Sequence, residues 1–219
     1  MEKVSLFAHN WLIAYLNNRA FKQNRDVIKG KVLDMGCGKC PYKEEILLTA
    51  SEYVGVDWGK SYHGDEQVNI FADLNEELPF EDDTADTIVT FQALEHLKEP
   101  AYFISECYRV LKKDGSIFVT VPFMWHLHER PYDYYRFTEY GLKYIFEKAG
   151  FKDIRIGKYC GFWPVWVLKF NYYTVRLARI GLKPMWQMIW LVGQAMAFVL
   201  DKLDRYPPET THYWVRASK

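Results

Sequence analysis

An excess of charge of either sign is what this sequence most plainly lacks. Its 219 residues carry 28 Lys and Arg against 28 Asp and Glu. A balanced chain has no electrostatic grip on a polyanion, so no nucleic-acid partner is expected. Cysteine is scarce: Cys37, Cys40, Cys107 and Cys160 are all there is. Cys37 and Cys40 form one C-x-x-C, and no second pair completes a zinc site. Reduced thiols are expected, as in a cytoplasmic protein. The first residues do not have the build of a secretory leader, which points the same way. The apolar run after Pro184 is about 16 residues, short of the roughly 20 that a helix needs to cross hydrocarbon. Internal repeats and low-complexity tracts are absent as well.

Aromatic residues are abundant at 17% of the chain, and many follow Pro122. That asymmetry suggests a C-terminal half that meets something apolar or ring-shaped. The length fits a single domain, 1–219, with embellishments. Leu6, Phe7, Trp11, Leu12, Tyr15 and Leu16 recur at helical spacing and predict an amphipathic helix over 5–20, within an N-terminal helical segment 1–27.

The organising stretch is K-V-L-D-M-G-C-G-K-C-P, Lys31 to Pro41. Val32 and Leu33 end a short buried strand. Asp34, Gly36 and Gly38 form a turn, and Pro41 suits the first position of a helix, where a missing N–H costs nothing. Strand, glycine turn and helix start make a nucleotide-type cradle in doubly wound proteins. The third glycine of the dinucleotide fingerprint is missing, which counts against an NAD-dependent oxidoreductase. A second strand ends at Asp57, 23 positions after Asp34, with the flat ring of Trp58 beside it. A third, Val68 to Phe71, leads to Asp73 and Leu74. A fourth, Thr87 to Thr90, leads to Phe91, Gln92 and Leu94-Glu95-His96. A fifth runs from Ser116 to Val121. Crossover helices are expected over Tyr42 to Ala50, on either side of Pro100, and over Thr138 to Gly150. A sixth strand then covers Phe151 to Tyr159, and Tyr213 to Ser218 reads as the last. Alternating strands and helices call for a parallel sheet covered on both faces, with ligands outside the strands' carboxyl ends.

The ordered series D-x-G-C-G, V-G-V-D, A-D-L, D-T-I-V-x-x-x-x-L-E-H and R-V-L-K-x-D-G-x-I resembles the class I S-adenosylmethionine-dependent methyltransferases. It is most similar to the type 11-like branch that includes ubiquinone-pathway and sugar-modifying enzymes. The resemblance spans roughly 28–122 and more weakly extends to Phe151. It implies a Rossmann-like seven-stranded α/β sheet with an N-terminal helix, a cofactor-binding core over 28–160, a helical insertion and a last strand within 206–219. It also implies S-adenosyl-L-methionine as cofactor. Asp34 and the turn Gly36-Cys37-Gly38 would hold the methionine portion, Asp57 the ribose hydroxyls, Trp58 the adenine face, and Asp73 with Leu74 the adenine edge. Phe91 and Gln92 would line the wall near the sulfonium.

Methyl transfer from a sulfonium needs alignment, exclusion of water and deprotonation of the acceptor, and no metal is expected. Candidate bases are His96, His126 and His128, because imidazole titrates near neutral pH. The segment Pro122 to Thr138 leaves the end of a central strand and should arch over the methyl donor. Trp125, Tyr132, Asp133, Tyr134 and Arg136 are its candidate acceptor contacts. Asp133 with Arg136 reads equally well as a structural pair, and Thr138 as a helix cap. The loop resembles that of enzymes of surface-polysaccharide pathways. The expected reaction is therefore an O-methylation of a glycan or small molecule. A quinone-like or lipid acceptor, and a non-catalytic cofactor-binding subunit, are the alternatives.

Residues 161–205 form an apolar helical insertion before the last strand. It is expected to cover the substrate, to form a dimer interface, or to lie on a membrane surface with help from Lys169, Arg176, Arg179 and Lys183.

Overall fold

Strand order in the sheet reverses beside the glycine-turn strand. The computed structural model describes residues 3–59, 67–204 and 208–219. Its strands are β1 (Gly30–Met35), β2 (Ala50–Asp57), β3 (Ile70–Phe71), β4 (Ala85–Phe91), β5 (Leu111–Pro122), β6 (Lys152–Lys158) and β7 (His212–Ser218). They form one seven-stranded sheet in the order β3-β2-β1-β4-β5-β7-β6. The first five are parallel, and β7 runs antiparallel between β5 and β6. The chain winds outward from β1 on one side and from β4 on the other. A crevice therefore opens between the carboxyl ends of β1 and β4.

The central strands are nearly continuous apolar runs because both faces are covered. Val32, Leu33, Ile88, Val89, Ile117, Phe118 and Val119 are fully buried. One face packs against α3 (Pro100–Val110) and α4 (Glu139–Ala149) through Phe103, Ile104, Leu142 and Phe146. The other meets Phe21 of α1 (Trp11–Asn24) and Ile46 of α2 (Lys43–Ile46). Thr138 caps α4 by accepting the Gly141 N–H at 3.1 Å, a cap typically contributing about 1 kcal/mol. Gly150 stops that helix at φ +102°.

The insertion is two helices, α5 (Phe162–Ile180) and α6 (Lys183–Leu203). Their inner faces cover Leu12 and Leu16 of α1 with Val167, Leu168 and Ala197. Full burial of a Leu side chain stabilises by about 1.5–3 kcal/mol. Polar residues in these apolar helices have a use here. The Gln194 side chain accepts from the Leu12 N–H and donates to the Leu6 carbonyl, and Asn171 donates to the His9 carbonyl. Both pin the start of α1, which is why that helix begins at Trp11.

Several boundaries differ from the sequence reading. The helix expected over 5–20 is displaced to 11–24. The one expected over Tyr42 to Ala50 shrinks to the four residues of α2, because Ala50 already pairs with Gly30 at the start of β2. The helix before Pro100 is one 3-10 turn, Leu94–His96. The third strand keeps only Ile70 and Phe71. The fifth begins at Leu111, which pairs with Ala85 ahead of a bulge, and Asp114 takes a positive φ of +62°. Ser61 to Gln67 reads from sequence as a polar turn and Tyr206 to Thr210 as a turn into the last strand; residues 61–66, Tyr206 and Pro207 lie outside the described residues.

Candidate functional site

The glycine turn is built by its neighbours. Gly36 and Gly38 sit at φ +73° and +48°. A Cβ on Gly36 would stand 2.5 Å from that of Ala93. The Gly36 and Cys37 N–H groups both donate to the Val56 carbonyl, and Asp57 Oδ2 accepts the Gly38 N–H at 2.7 Å. Asp57 Oδ1 accepts the Trp58 N–H. The tip of β2 thus holds the turn that follows β1. Cys37 and Cys40 are free, and burial raises the Cys37 thiol well above its ordinary pKa, with Asp34 adding to the effect.

A cavity of about 620 Å³ opens above this turn. Small-molecule sites commonly fall in this range. Its lining brings together Gly36, Cys37, Gly38, Asp57, Trp58, Asp73, Leu74, Phe91 and Gln92 with His96, Trp125, His128, Tyr132 and Tyr134. Gln92 occupies the left-handed region at φ +55°, held by its N–H to the Thr120 carbonyl and its Nε2 to Thr120 Oγ1. Backbone strain of this sort tends to gather at binding sites. The Trp58 and Tyr132 rings meet edge to face, 5.0 Å apart, and so connect the tip of β2 to the aromatic loop.

Four expected residues do not line the cavity. Asp34 is fully buried below the turn, and Tyr53 donates to its Oδ2 at 2.6 Å. Burial pushes its carboxyl up to about 7; the tyrosine bond opposes this and the Asp57 charge reinforces it. His126 is exposed, its ring 4.7 Å from that of Tyr172. Asp133 and Arg136 face each other in a bidentate pair at 2.5 and 2.8 Å. Arg136 also donates to the His126 carbonyl, and Asp133 accepts the His128 N–H. They shape the loop that carries His128. Burial works against the Asp133 charge, but Arg136 and the His128 amide hold its carboxyl well below the usual range.

The sequence reading missed Asn10 just before α1, Ile13, Ala14 and Asn17 of α1, Tyr172 of α5 and His212 of β7, all of which line the cavity. Only long-range packing brings them there. Polar residues on the inward face of the first helix were the one available signal. Burial pushes the His212 imidazole down to about 3, so it stays neutral.

Glu95 was passed over as part of L-E-H. It is fully buried beside the cavity, and neither carboxylate oxygen has a hydrogen-bond partner among the described residues. Burial raises its carboxyl to about 8. Its Oε1 lies 3.8 Å from His96 Nε2 and 3.9 Å from His128 Nε2. Burial also lowers His128 below the ordinary imidazole value, with Asp133 opposing.

A doubly wound sheet ending in an antiparallel β7, with a glycine cradle at the switch point and acids beyond β2 and β3, is the class I methyltransferase architecture. Residues 33–119 match a family described as "Methyltransferase domain". A protein of Mycolicibacterium smegmatis named a probable S-adenosylmethionine-dependent methyltransferase is 34% identical over 96 residues, 42% of this chain and 37% of its own length. A ubiquinone biosynthesis O-methyltransferase of Pseudomonas savastanoi is 27% identical over 128 residues, 52% of this chain and 51% of its own. The matched stretches thus span only about a third to a half of these relatives. A SAM-dependent methyltransferase structure from Archaeoglobus fulgidus superposes with TM-score 0.63 at 20% identity, covering 94% of each chain, a likeness of fold. Residues 33–119 thus resemble a methyltransferase domain, within a sheet that has the class I methyltransferase fold. Its cradle, with backbone bare of side chains at Gly36 and Gly38 and an acid at the tip of β2, fits S-adenosyl-L-methionine. Among the described residues no helix is long and apolar enough to cross a membrane.

Proposed function

We propose that this chain transfers the methyl group of S-adenosylmethionine to an acceptor hydroxyl, on a glycan or small molecule of surface-polysaccharide or related biosynthesis. The observation that carries the reading is one continuous cavity. It joins the Gly36–Gly38 cradle, Asp57 and Asp73 at one end to the imidazoles and rings of the loop over 122–138 at the other. In this reading the turn Gly36-Cys37-Gly38 holds the methionine portion against its bare backbone face, with Asp34 buried beneath it. Asp57 accepts from the ribose hydroxyls, Trp58 lies on the adenine, Asp73 and Leu74 read its edge, and Phe91 and Gln92 face the sulfonium.

The chain's own work is alignment and proton removal. The acceptor oxygen attacks the methyl carbon in line, the C–S electron pair returns to sulfur, and the hydroxyl proton leaves to a cavity base. His128 and His96 face the cavity and are the bases in reach. His126 lies outside the cavity with its ring against Tyr172 and is not in reach of the acceptor. Trp125, Tyr132 and Tyr134 offer ring faces and hydroxyls to an acceptor. Asp133 and Arg136 position them.

A quinone-like ring or lipid is the second acceptor class, supported by the aromatic lining and by the name of the Pseudomonas relative. The insertion bears on it. Residues 161–200 hold Lys169, Arg176, Arg179 and Lys183 and no acid. Ile180, Leu182 and Met185 at the α5–α6 junction are 85%, 70% and 45% exposed. An apolar tip ringed by cations suits the anionic surface of a membrane, which would place a cytoplasmic protein at the bilayer.

The test is S-adenosylhomocysteine release by the purified full chain, with sugar nucleotides, glycolipids and quinone precursors as acceptors. Cofactor-dependent release with a hydroxylated acceptor is expected. Binding of NAD in place of S-adenosylmethionine would overturn the reading.

A further inference from the structure

We infer that Glu95, His96 and His128 form a divalent-cation site, of zinc-like preference, at the loop end of the cavity. The three donor atoms, Glu95 Oε1, His96 Nε2 and His128 Nε2, lie within 4.8 Å of one another. The two separations from Glu95, 3.8 and 3.9 Å, exceed by about half an ångström the roughly 3.3 Å that tetrahedral bonds of about 2.0–2.1 Å require. Small rotations of three side chains close that gap.

The surroundings prepare the nitrogens to ligate. His96 Nδ1 lies 2.9 Å from the Tyr132 carbonyl, which can only accept, so the proton sits on Nδ1 and the Nε2 lone pair is free. His128 Nδ1 lies 3.2 Å from Asp133 Oδ2, bent away from good hydrogen-bond geometry. The ionised Asp133, held by Arg136, still favours the proton on that nitrogen. A carboxylate or carbonyl behind each imidazole is the usual outer support of a metal-binding histidine. Both lone pairs then face Glu95, the one buried carboxylate without a hydrogen bond among the described residues. Without a cation that arrangement has no evident stabilising partner; with one, an anion and two neutral imidazoles are satisfied together. Two imidazoles and one carboxylate suit zinc and its borderline neighbours better than magnesium or calcium. The carboxylate of Glu129, 3.7 Å from His96 Nε2, stands beside the site.

His96, His128 and Glu129 also line the cavity, so the remaining coordination positions open toward the acceptor. The role of the cation, though not its binding, rests on the methyl-transfer reading. An acceptor hydroxyl on the cation is acidified. Its proton passes to the Glu129 carboxylate, the oxygen forms the new bond to the methyl carbon, and the C–S pair stays with sulfur. With the cation bound, Glu129 takes the proton in place of His96 and His128, which ligate; those two act as bases only in the cation-free chain.

The test is cobalt and zinc titration of the chelator-treated full chain, read by equilibrium dialysis and by the visible spectrum of bound Co²⁺. Glu95→Gln and His128→Ala are run beside it, with far-ultraviolet circular dichroism confirming their fold. One cation per chain is expected, with an imidazole-type cobalt spectrum, and binding about 100-fold weaker or worse in either folded variant. No stoichiometric binding by the wild type, or unchanged binding by both folded variants, overturns the site. S-adenosylmethionine affinity measured on the same samples keeps the two readings apart. A chain that binds the cation but not the methyl donor keeps this site and loses the proposed function.

Discussion

Asp57 Oδ2 accepts the Gly38 N–H at 2.7 Å, so one carboxylate both ends β2 and fixes the glycine turn after β1. Its other oxygen takes the Trp58 N–H at 2.8 Å. Asp57→Ala should loosen the turn and remove the proposed ribose contact together. A hydrogen bond to a charged group contributes about 1.5–3 kcal/mol, so S-adenosylmethionine affinity should fall roughly 10- to 100-fold. Calorimetric titration measures this directly. An unchanged dissociation constant would remove Asp57 from the site.

Glu106 and Arg109 tie α3 to the loop before β4. Glu106 accepts from Arg109 Nε and Nη2 and from the Leu78 N–H, while Arg109 also donates to the Leu78 and Phe80 carbonyls and to Asp82. Arg109, against the opposing effect of burial, holds the Glu106 carboxyl below the ordinary glutamate range. A depressed carboxyl stabilises the fold fully above its unfolded pKa, and that contribution is lost as pH falls through the lower folded value. Glu106→Gln should therefore cost about 1.5–3 kcal/mol at pH 7, and the difference in melting temperature should narrow below pH 4.5. Calorimetric melts from pH 7 to pH 3 check both parts. A gap that widens in acid would contradict the pairing.

Much of this fold is legible along the chain because each strand end carries its own marker. Gly36, Asp57 and Asp73 follow β1, β2 and β3, and such local signals survive without knowledge of packing. Asp34 shows where local signals stop. Its spacing in D-x-G-C-G suggests a ligand contact, yet its carboxylate points under the turn to Tyr53, nineteen positions away. Neither the pairing nor the burial can be read from either segment. Tyr172 and His212 were invisible for the same reason. Tyr172 reaches the cavity on the insertion that Gln194 and Asn171 fasten to the start of α1, across more than 160 residues of sequence, and His212 reaches it through the pairing of β7 with the end of β5 at Pro122. Glu95 was hidden differently, since a carboxylate beside a histidine on a short turn reads as a solvated pair until its burial is known.

Arg136 positions the aromatic loop without entering the cavity, which separates its effects from those of a contact residue. It grips both oxygens of Asp133 and the His126 carbonyl with a planar fork that lysine cannot reproduce. Arg136→Lys should lower methyl transfer about tenfold through the acceptor step, while S-adenosylmethionine affinity stays within about twofold of wild type. Steady-state kinetics against acceptor, alongside calorimetry with the donor, separates the two. An equal fall in both would place Arg136 at the donor and not behind the loop.

The α5–α6 junction should respond to charge in a way that a dimer interface would not. Arg176 packs over the Tyr173 ring at 4.1 Å, and Arg179 and Lys183 flank the exposed Ile180 and Leu182. Each cation near an anionic surface contributes about 1 kcal/mol, and apolar side chains entering the headgroup region add to that. Arg176→Glu with Arg179→Glu should cut sedimentation with phosphatidylserine vesicles about tenfold or more, and added salt should do the same to the wild type. Ile180→Asp should weaken binding while leaving its salt dependence in place, because it removes the apolar contribution and keeps the cations. Sedimentation equilibrium without lipid should give a monomer. A dimer that Ile180→Asp dissociates, with no affinity for vesicles, would mean that this face meets a second copy of the chain.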